Sequence, residues 1–182
     1  MSTVLLPLAE GFEEIEAVTL IDVLRRAGIT VTTAALMQQA VSGAHGIVVH
    51  ADTLLDRVLQ QPFDMIVLPG GLPGAHHLRD DVRVQRLLQQ AAAAGRYTAA
   101  ICAAPVALAS AGLLQGKRAT GYPGFLEQLD VPGMTLVVED VVQDGKVLTS
   151  RGPGTAMAFA LQLVRLLCGE AKAHEVGQGL LA

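Results

Sequence analysis

The fold is decided by the stretch Tyr97-Thr98-Ala99-Ala100-Ile101-Cys102-Ala103-Ala104-Pro105. Tyr97–Ile101 has the length and apolar composition of a buried strand. Pro105 opens a helix, where its missing N–H would be unpaired in any case, and the apolar pattern carries that helix through Val106–Leu113. Cys102 thus lies on the bend between strand and helix. The whole of 97–116 is uncharged and rich in alanine, over a length that would cross a bilayer. Pro105 and the helix and turn chemistry on both sides favour a buried strand followed by a buried helix, so no membrane partner is expected.

Outward from this bend the same alternation repeats. Thr3–Leu8 reads as a strand and Glu13–Ala27 as a helix, with Ala17, Leu20, Ile21 and Leu24 on one face. Glu13, Glu14 and Glu16 in its first turn, Arg25 and Arg26 in its last, and Gly28 beyond suit the helix dipole and a C-cap. Thr30–Leu36 and Ile47–Val49 read as strands, with a turn of helix near Asp52–Leu59. Asp64–Leu68 reads as a strand running into Pro69-Gly70-Gly71, and Val82–Ala94 as a helix. Thr135–Glu139 and Lys146–Ser150 are expected to pair antiparallel around an Asp144-Gly145 turn. Helices over Thr155–Cys168 and Glu170–Gly179 end the chain. Strand–helix alternation over 182 residues predicts one α/β domain spanning 1–182, with helices on both faces of a mainly parallel sheet.

Composition narrows the function. A net charge of -4, no basic cluster, four Phe, two Tyr and no Trp exclude a dedicated nucleic-acid surface. Two cysteines make no disulfide framework and fit a reducing compartment. The start Met1-Ser2-Thr3-Val4-Leu5-Leu6 has no basic stretch, so no signal peptide is read and a cytoplasmic protein is expected. The five histidines, His45, His50, His76, His77 and His174, lack metal-ligand spacing, so no metal is expected. Gly70-Gly71-Leu72-Pro73-Gly74 is not a dinucleotide fingerprint, and Gly112–Arg118 is too short for a phosphate loop.

In sheets of this kind ligands bind beyond the carboxyl ends of the strands. Cys102 stands at such an end, with small neighbours and a helix N-terminus that favours thiolate, as at a nucleophile elbow. A small buried hydrophobe is an equally good reading of the residue itself. Cys168, placed on the apolar stripe of its helix, is read as packing only. Gly70-Gly71 is either a plain turn or a loop whose bare N–H groups face an oxyanion. Glu16, taken alone, is a first-turn acid like Glu13 and Glu14.

Four motifs together resemble the ThiJ/PfpI superfamily: Gly11-Phe12-Glu13-Glu14-Ile15-Glu16, Leu68-Pro69-Gly70-Gly71, Ala99–Pro105 and Leu148–Thr155. The closest resemblance is to its DJ-one branch, which contains a parkinsonism-associated protein and YajL-like bacterial members, and it runs from Val4 through Glu175. It implies a flavodoxin-like three-layer sandwich, a homodimer, and no metal or organic cofactor. It implies a reactive Cys102 partnered by Glu16, backbone N–H groups of Gly71 and Ala103 around the reacting centre, and a pocket including Gly70, Ala104, Tyr122, Arg151 and His45. The implied activity is that of a glyoxalase or deglycase acting on methylglyoxal, glyoxal or their early adducts. The alternative is an oxidative-stress sensor and chaperone-like protein using an oxidisable Cys102. A cysteine peptidase or amidase is a third reading. It is disfavoured because Ala103 rather than His follows Cys102 and because His174-Glu175 lacks glutaminase spacing.

Two positions depart from the family pattern. Tyr122 stands where relatives place a His before Pro123, and His45 stands near a basic Arg position. An ionised Glu16 would raise the thiol pKa, so the pairing requires a protonated Glu16 that donates to a thiolate.

Overall fold

Continuous runs of Val, Ile, Leu and Ala give strands buried on both faces, and these assemble into a parallel sheet at the centre of the molecule. A computed structural model describes residues 1–182. Strands β1 (Thr3–Leu8), β2 (Thr30–Ala35), β5 (Thr53–Leu54), β6 (Met65–Leu68), β7 (Tyr97–Ile101), β10 (Val141–Asp144) and β11 (Val147–Ser150) form one sheet in the order β10-β11-β7-β6-β1-β2-β5. All neighbours in it are parallel except β10 and β11.

Helices α1 (Glu14–Arg26), α5 (Ala156–Cys168) and α6 (Glu170–Leu180) pack together over one face. Helices α2 (Gly74–Asp80), α3 (Val82–Ala93) and α4 (Pro105–Ser110) cover the other. The chain therefore has the expected three layers around a mainly parallel sheet. From β1 it winds outward to β2, and from β6 it winds the other way to β7. This leaves a switch point between β1 and β6, at whose carboxyl ends Gly11 and Gly70 lie. The core is continuous from Val4 to Val176, and Phe12, Leu68, Leu88 and Phe159 are completely enclosed.

Several local readings change. Thr135–Glu139 is not the hairpin partner of Lys146–Ser150. Val141–Asp144 is, because a two-residue turn pairs the residues that flank it directly, and Asp144 stands opposite Val147. Instead β9 (Thr135–Leu136) runs parallel to β8 (Arg118–Ala119) in a small separate sheet. The strand expected at Ile47–Val49 is β4 (Val48–His50), which pairs with β3 (Ala40–Ser42) outside the main sheet. The turn of helix expected near Asp52–Leu59 is a 3-10 turn, Leu55–Arg57, directly after β5. Helix α2 went unread because it has no side-chain cap and buries only Gly74, Ala75 and Leu78. Cys168 is exposed rather than packed. It is the last residue of α5, beside Gly169, and nothing covers that corner.

Candidate active site

Cys102 adopts φ 63°, a left-handed conformation that costs a non-glycine residue about 1–2 kcal/mol. The surrounding backbone holds it there. Its N–H donates to Ser150 O at 2.9 Å, its carbonyl accepts the Tyr122 N–H at 2.8 Å, and Ala104 N–H reaches back to Ile101 O at 3.0 Å. The end of β11 and the loop carrying Tyr122 thus fix both sides of the bend. The thiol residue is 8% exposed, just open to solvent at the carboxyl end of β7.

Glu16 comes to the same point from the other side of the switch. Glu13 caps α1, its Oε2 accepting the Glu16 N–H at 2.7 Å, while the Glu13 N–H donates to Gly70 O at 2.9 Å. This lays the first turn of the helix on the Gly70-Gly71 loop. The Gly70 N–H then donates to Glu16 Oε2 at 2.7 Å. Glycine is required by contact: a Cβ on Gly71 (φ 87°) would meet Glu13 N at 2.3 Å. Glu16 is fully enclosed, its carboxyl lies beside the Cys102 thiol, and its Oε1 has no hydrogen-bond partner. The N–H groups of Ala103 and Gly71 both donate toward the sulfur.

The two acids share one set of causes. Burial pushes the Glu16 carboxyl up to about 7, against the Gly70 N–H bond, with the Glu13 charge adding a smaller push in the same direction. Burial first, and then the negative charge of an ionised Glu16, push the Cys102 thiol up to about 12, while the Ala103 and Gly71 N–H groups draw it down. The helix N-terminus alone does not make this sulfur an anion, because burial and an ionised Glu16 both oppose it. A thiolate forms only with Glu16 protonated, since protonation removes the repelling charge and turns the orphaned Oε1 into a donor. The two groups are coupled, so the pair titrates as one unit.

Of the other expected pocket residues, Gly70 touches both members of the pair and Ala104 is buried under the bend. Tyr122 is half exposed and lines a cleft of about 220 Å³ with Thr120, Gly121, Leu126, Val138 and Arg151. The cleft adjoins the bend through the backbone bond between Tyr122 and Cys102. His45 does not join them. Its Nδ1 lies 2.9 Å from Glu14 Oε2 and 3.9 Å from Glu13 Oε1, with the ring largely in solvent. A groove of about 310 Å³ between Leu8, Leu36, Met37, Val41 and His77 contains neither Cys102 nor Glu16.

Sequence reading missed the burial of Glu13 and Glu14. Glu14 packs onto Gly43, where a Cβ would stand 2.3 Å from its carboxyl carbon, and its Oε1 accepts the His45 and Ile47 N–H groups at 2.6 and 3.3 Å. The sequence signal available was three acids in four residues facing a hairpin with a glycine. Spacing along the chain did not bring Glu13, Glu14 and His45 together, yet their donor atoms lie within 4.8 Å of one another. His45 and Glu14 bond each other, and Glu13 Oε2 and Glu14 Oε1 also accept neighbouring backbone N–H groups.

The chain is similar to known proteins over nearly its whole length. Drosophila melanogaster protein dj-1beta is 44% identical over 96% of this chain and 94% of its own. Its crystal structure superposes with a TM-score of 0.95, covering 100% of this chain and 99% of that one. Arabidopsis thaliana protein DJ-1 homolog A is 48% identical over 98% of this chain, which spans only 46% of that relative. A Pyrococcus abyssi protein named a deglycase is 33% identical over 90% of this chain and 98% of its own. Residues 2–166 match the family model described as the DJ-1/PfpI family. The bend at Cys102, the Gly70-Gly71 loop and the buried Glu16 are thus set in a chain that belongs to the DJ-1/PfpI family.

Proposed function

We propose that this protein is an enzyme that uses Cys102 and Glu16 to convert small dicarbonyls such as methylglyoxal and glyoxal, or their early adducts on amino groups. The observation that carries the reading is the contact between a strained, slightly open thiol and an enclosed carboxyl pushed up to about 7. A group with that affinity for protons serves as acid and base in one cycle at neutral pH. The name of the Pyrococcus relative supports the substrate class.

With methylglyoxal, the Cys102 thiolate adds to the aldehyde carbon, and the carbonyl oxygen takes the proton held by Glu16, giving a hemithioacetal. The Glu16 carboxylate then removes the hydrogen on that carbon as a proton, and the adjacent ketone carbon receives it through an enediol. The product of this step is a thioester of 2-hydroxypropanoate. Water cleaves the carbon–sulfur bond, lactate leaves and the thiol is restored, with one water consumed overall. The Gly71 and Ala103 N–H groups serve first the anionic sulfur and then the developing oxyanion. Tyr122 and Arg151 wall the approach and offer a hydroxyl and a cation to the substrate oxygens.

We also propose that the protein works as a homodimer. The exposed apolar residues Ile15, Val18, Ile47 and Val48 on α1 and the β3–β4 hairpin would supply the contact.

Lactate formation from methylglyoxal, followed in the wild type and in Cys102→Ser, tests the reaction. Turnover is expected to vanish in the variant. Persistence at the wild-type rate would remove Cys102 from the mechanism. Presenting a preformed adduct under conditions that scavenge free methylglyoxal separates adduct repair from action on the free dicarbonyl.

A further inference from the structure

The cleft of about 220 Å³ beside Tyr122 carries two opposite charges, Arg151 and Glu127, and an uncharged dicarbonyl pairs with neither. Seven of the chain's arginines are held in ion pairs, but the Arg151 guanidinium meets no carboxylate and donates no hydrogen bond within the chain. Glu127 meets no cation, and its Oε2 accepts the Gly124 N–H at 2.9 Å. The cation and the anion thus share one cleft without pairing. Apolar surface accompanies them: Leu126 is enclosed, whereas Leu136 is 39% and Val138 83% exposed.

Both sides of the cleft are fastened to the bend that holds the reacting sulfur. At Gly121 a Cβ would stand 3.1 Å from Cys102 O, and the Tyr122 N–H donates to the same oxygen at 2.8 Å. Arg151 directly follows Ser150, whose carbonyl accepts the Cys102 N–H at 2.9 Å. The cleft lies toward the β10–β11 edge of the main sheet, where β8 packs. None of its lining residues belongs to α1 or to the β3–β4 hairpin, so the contact proposed for the homodimer leaves it uncovered.

We propose that this cleft is a subsite for a free α-amino acid with an apolar side chain, the carrier of the adduct on which Cys102 acts. The proposal rests on the reaction proposed above and narrows its substrate to adducts on free amino acids. In a methylglyoxal adduct of leucine, the α-carboxylate meets Arg151, the nitrogen donates to Glu127, and the isobutyl group lies on Leu136 and Val138. A lysine within a protein brings neither charge, because its α-groups are tied up in peptide bonds. The carbon–sulfur bond to Cys102 forms as the carbon–nitrogen bond breaks, and the proton held by Glu16 passes to the departing nitrogen. The amino acid leaves as the free amine, and the hemithioacetal already described stays on Cys102.

The test reads binding apart from turnover. The Cys102→Ser protein is titrated with leucine while nitrogen-15 NMR follows the N–H groups of Tyr122, Val137 and Val138. Leucine is expected to move these signals saturably. Leucinamide, N-acetylleucine and glycine each lack one of the three matching groups, and each is expected to bind roughly threefold more weakly, the usual worth of one partly exposed partner. Adding Arg151→Gln should make leucine and leucinamide bind alike, and adding Glu127→Gln should do the same for leucine and N-acetylleucine. No saturable movement, or leucine bound no more tightly than the three analogues, overturns the proposal without any variant in the cleft. Wild-type turnover of preformed adducts, with free methylglyoxal scavenged, gives a second reading. The KM for the leucine adduct should lie roughly threefold below that for the leucinamide adduct, and equal values count against the subsite. Selective leucine binding by a protein whose wild type turns over no dicarbonyl upholds the subsite and sinks the proposed reaction. Turnover of methylglyoxal without leucine binding does the reverse.

Discussion

Gly70 stands between the two residues of the site: its N–H donates to Glu16 Oε2 at 2.7 Å, and a Cβ at this position would lie 2.7 Å from the Cβ of Cys102. The loop after β6 is thus the spacer that sets the separation of acid and thiol. Glycine is there because the gap admits nothing larger. Gly70→Ala is expected to destabilise the protein by roughly 1–3 kcal/mol, the usual effect of overpacking. Dicarbonyl turnover should be lost in the same variant even where it remains folded. Thermal unfolding and turnover of one preparation check both, and a variant with wild-type stability would show that the loop yields.

The enclosed carboxyl makes stability depend on pH in an unusual direction for an acid. Glu16 has an ordinary value of 4.5 and is pushed up to about 7 by burial, so the folded state binds its proton more tightly than the unfolded chain. The resulting stability is present in full below 4.5 and is lost as pH rises through about 7, for a total of roughly 3 kcal/mol. Glu16→Gln abolishes this dependence. Urea unfolding at pH 5, 6, 7 and 8 should show wild-type stability falling relative to the variant; parallel curves would contradict the burial argument.

Only one of the two thiols belongs to the site. Cys168 is exposed at the end of α5, away from Glu16, and Cys168→Ser should retain full turnover of methylglyoxal. Cys102→Ser should show none. After mild peroxide, mass spectrometry resolves oxidation at each sulfur. Rapid sulfinate at Cys102 together with negligible dicarbonyl turnover would transfer the role of this sulfur to sensing.

Helix α3 offers a stability test away from the site. Asp81 caps it, its Oδ1 accepting the Arg83 N–H at 2.8 Å, and its Oδ2 pairs with the Arg83 guanidinium at 2.6 Å. Burial works the other way, but the Arg83 bonds hold this carboxyl below its ordinary value, so its contribution is present at neutral pH and fades on acidification through the folded value. Asp81→Ala should cost about 1–2 kcal/mol, as loss of a helix cap does, with activity unchanged. The melting temperature and turnover of the variant decide it.

The elements that position the site were readable because their signals are local. Tyr97–Ile101, Thr3–Leu8 and the helix from Glu14 each carry enough periodic apolar residues to declare themselves, and Pro105 marks the bend. Helix α2, with two apolar contacts and no cap, does not, and β10 was hidden because Val142 is its only fully buried residue. The pairing of Glu16 with Cys102 joins residues 86 positions apart, so nothing in residue spacing announces it; the four motifs taken together did. The His45 network was invisible for a related reason. It depends on a hairpin that folds back onto α1 outside the main sheet, and on the lack of a side chain at Gly43.

The backward-leaning backbone at Cys102 has a price in robustness that a glycine would not incur. Serine or alanine there inherits the same awkward geometry, so those variants isolate chemistry from folding. Cys102→Gly, by contrast, should melt later than the wild type while doing nothing to a dicarbonyl, and the gain in melting temperature would measure how much endurance the chain gives up to hold one sulfur at its post.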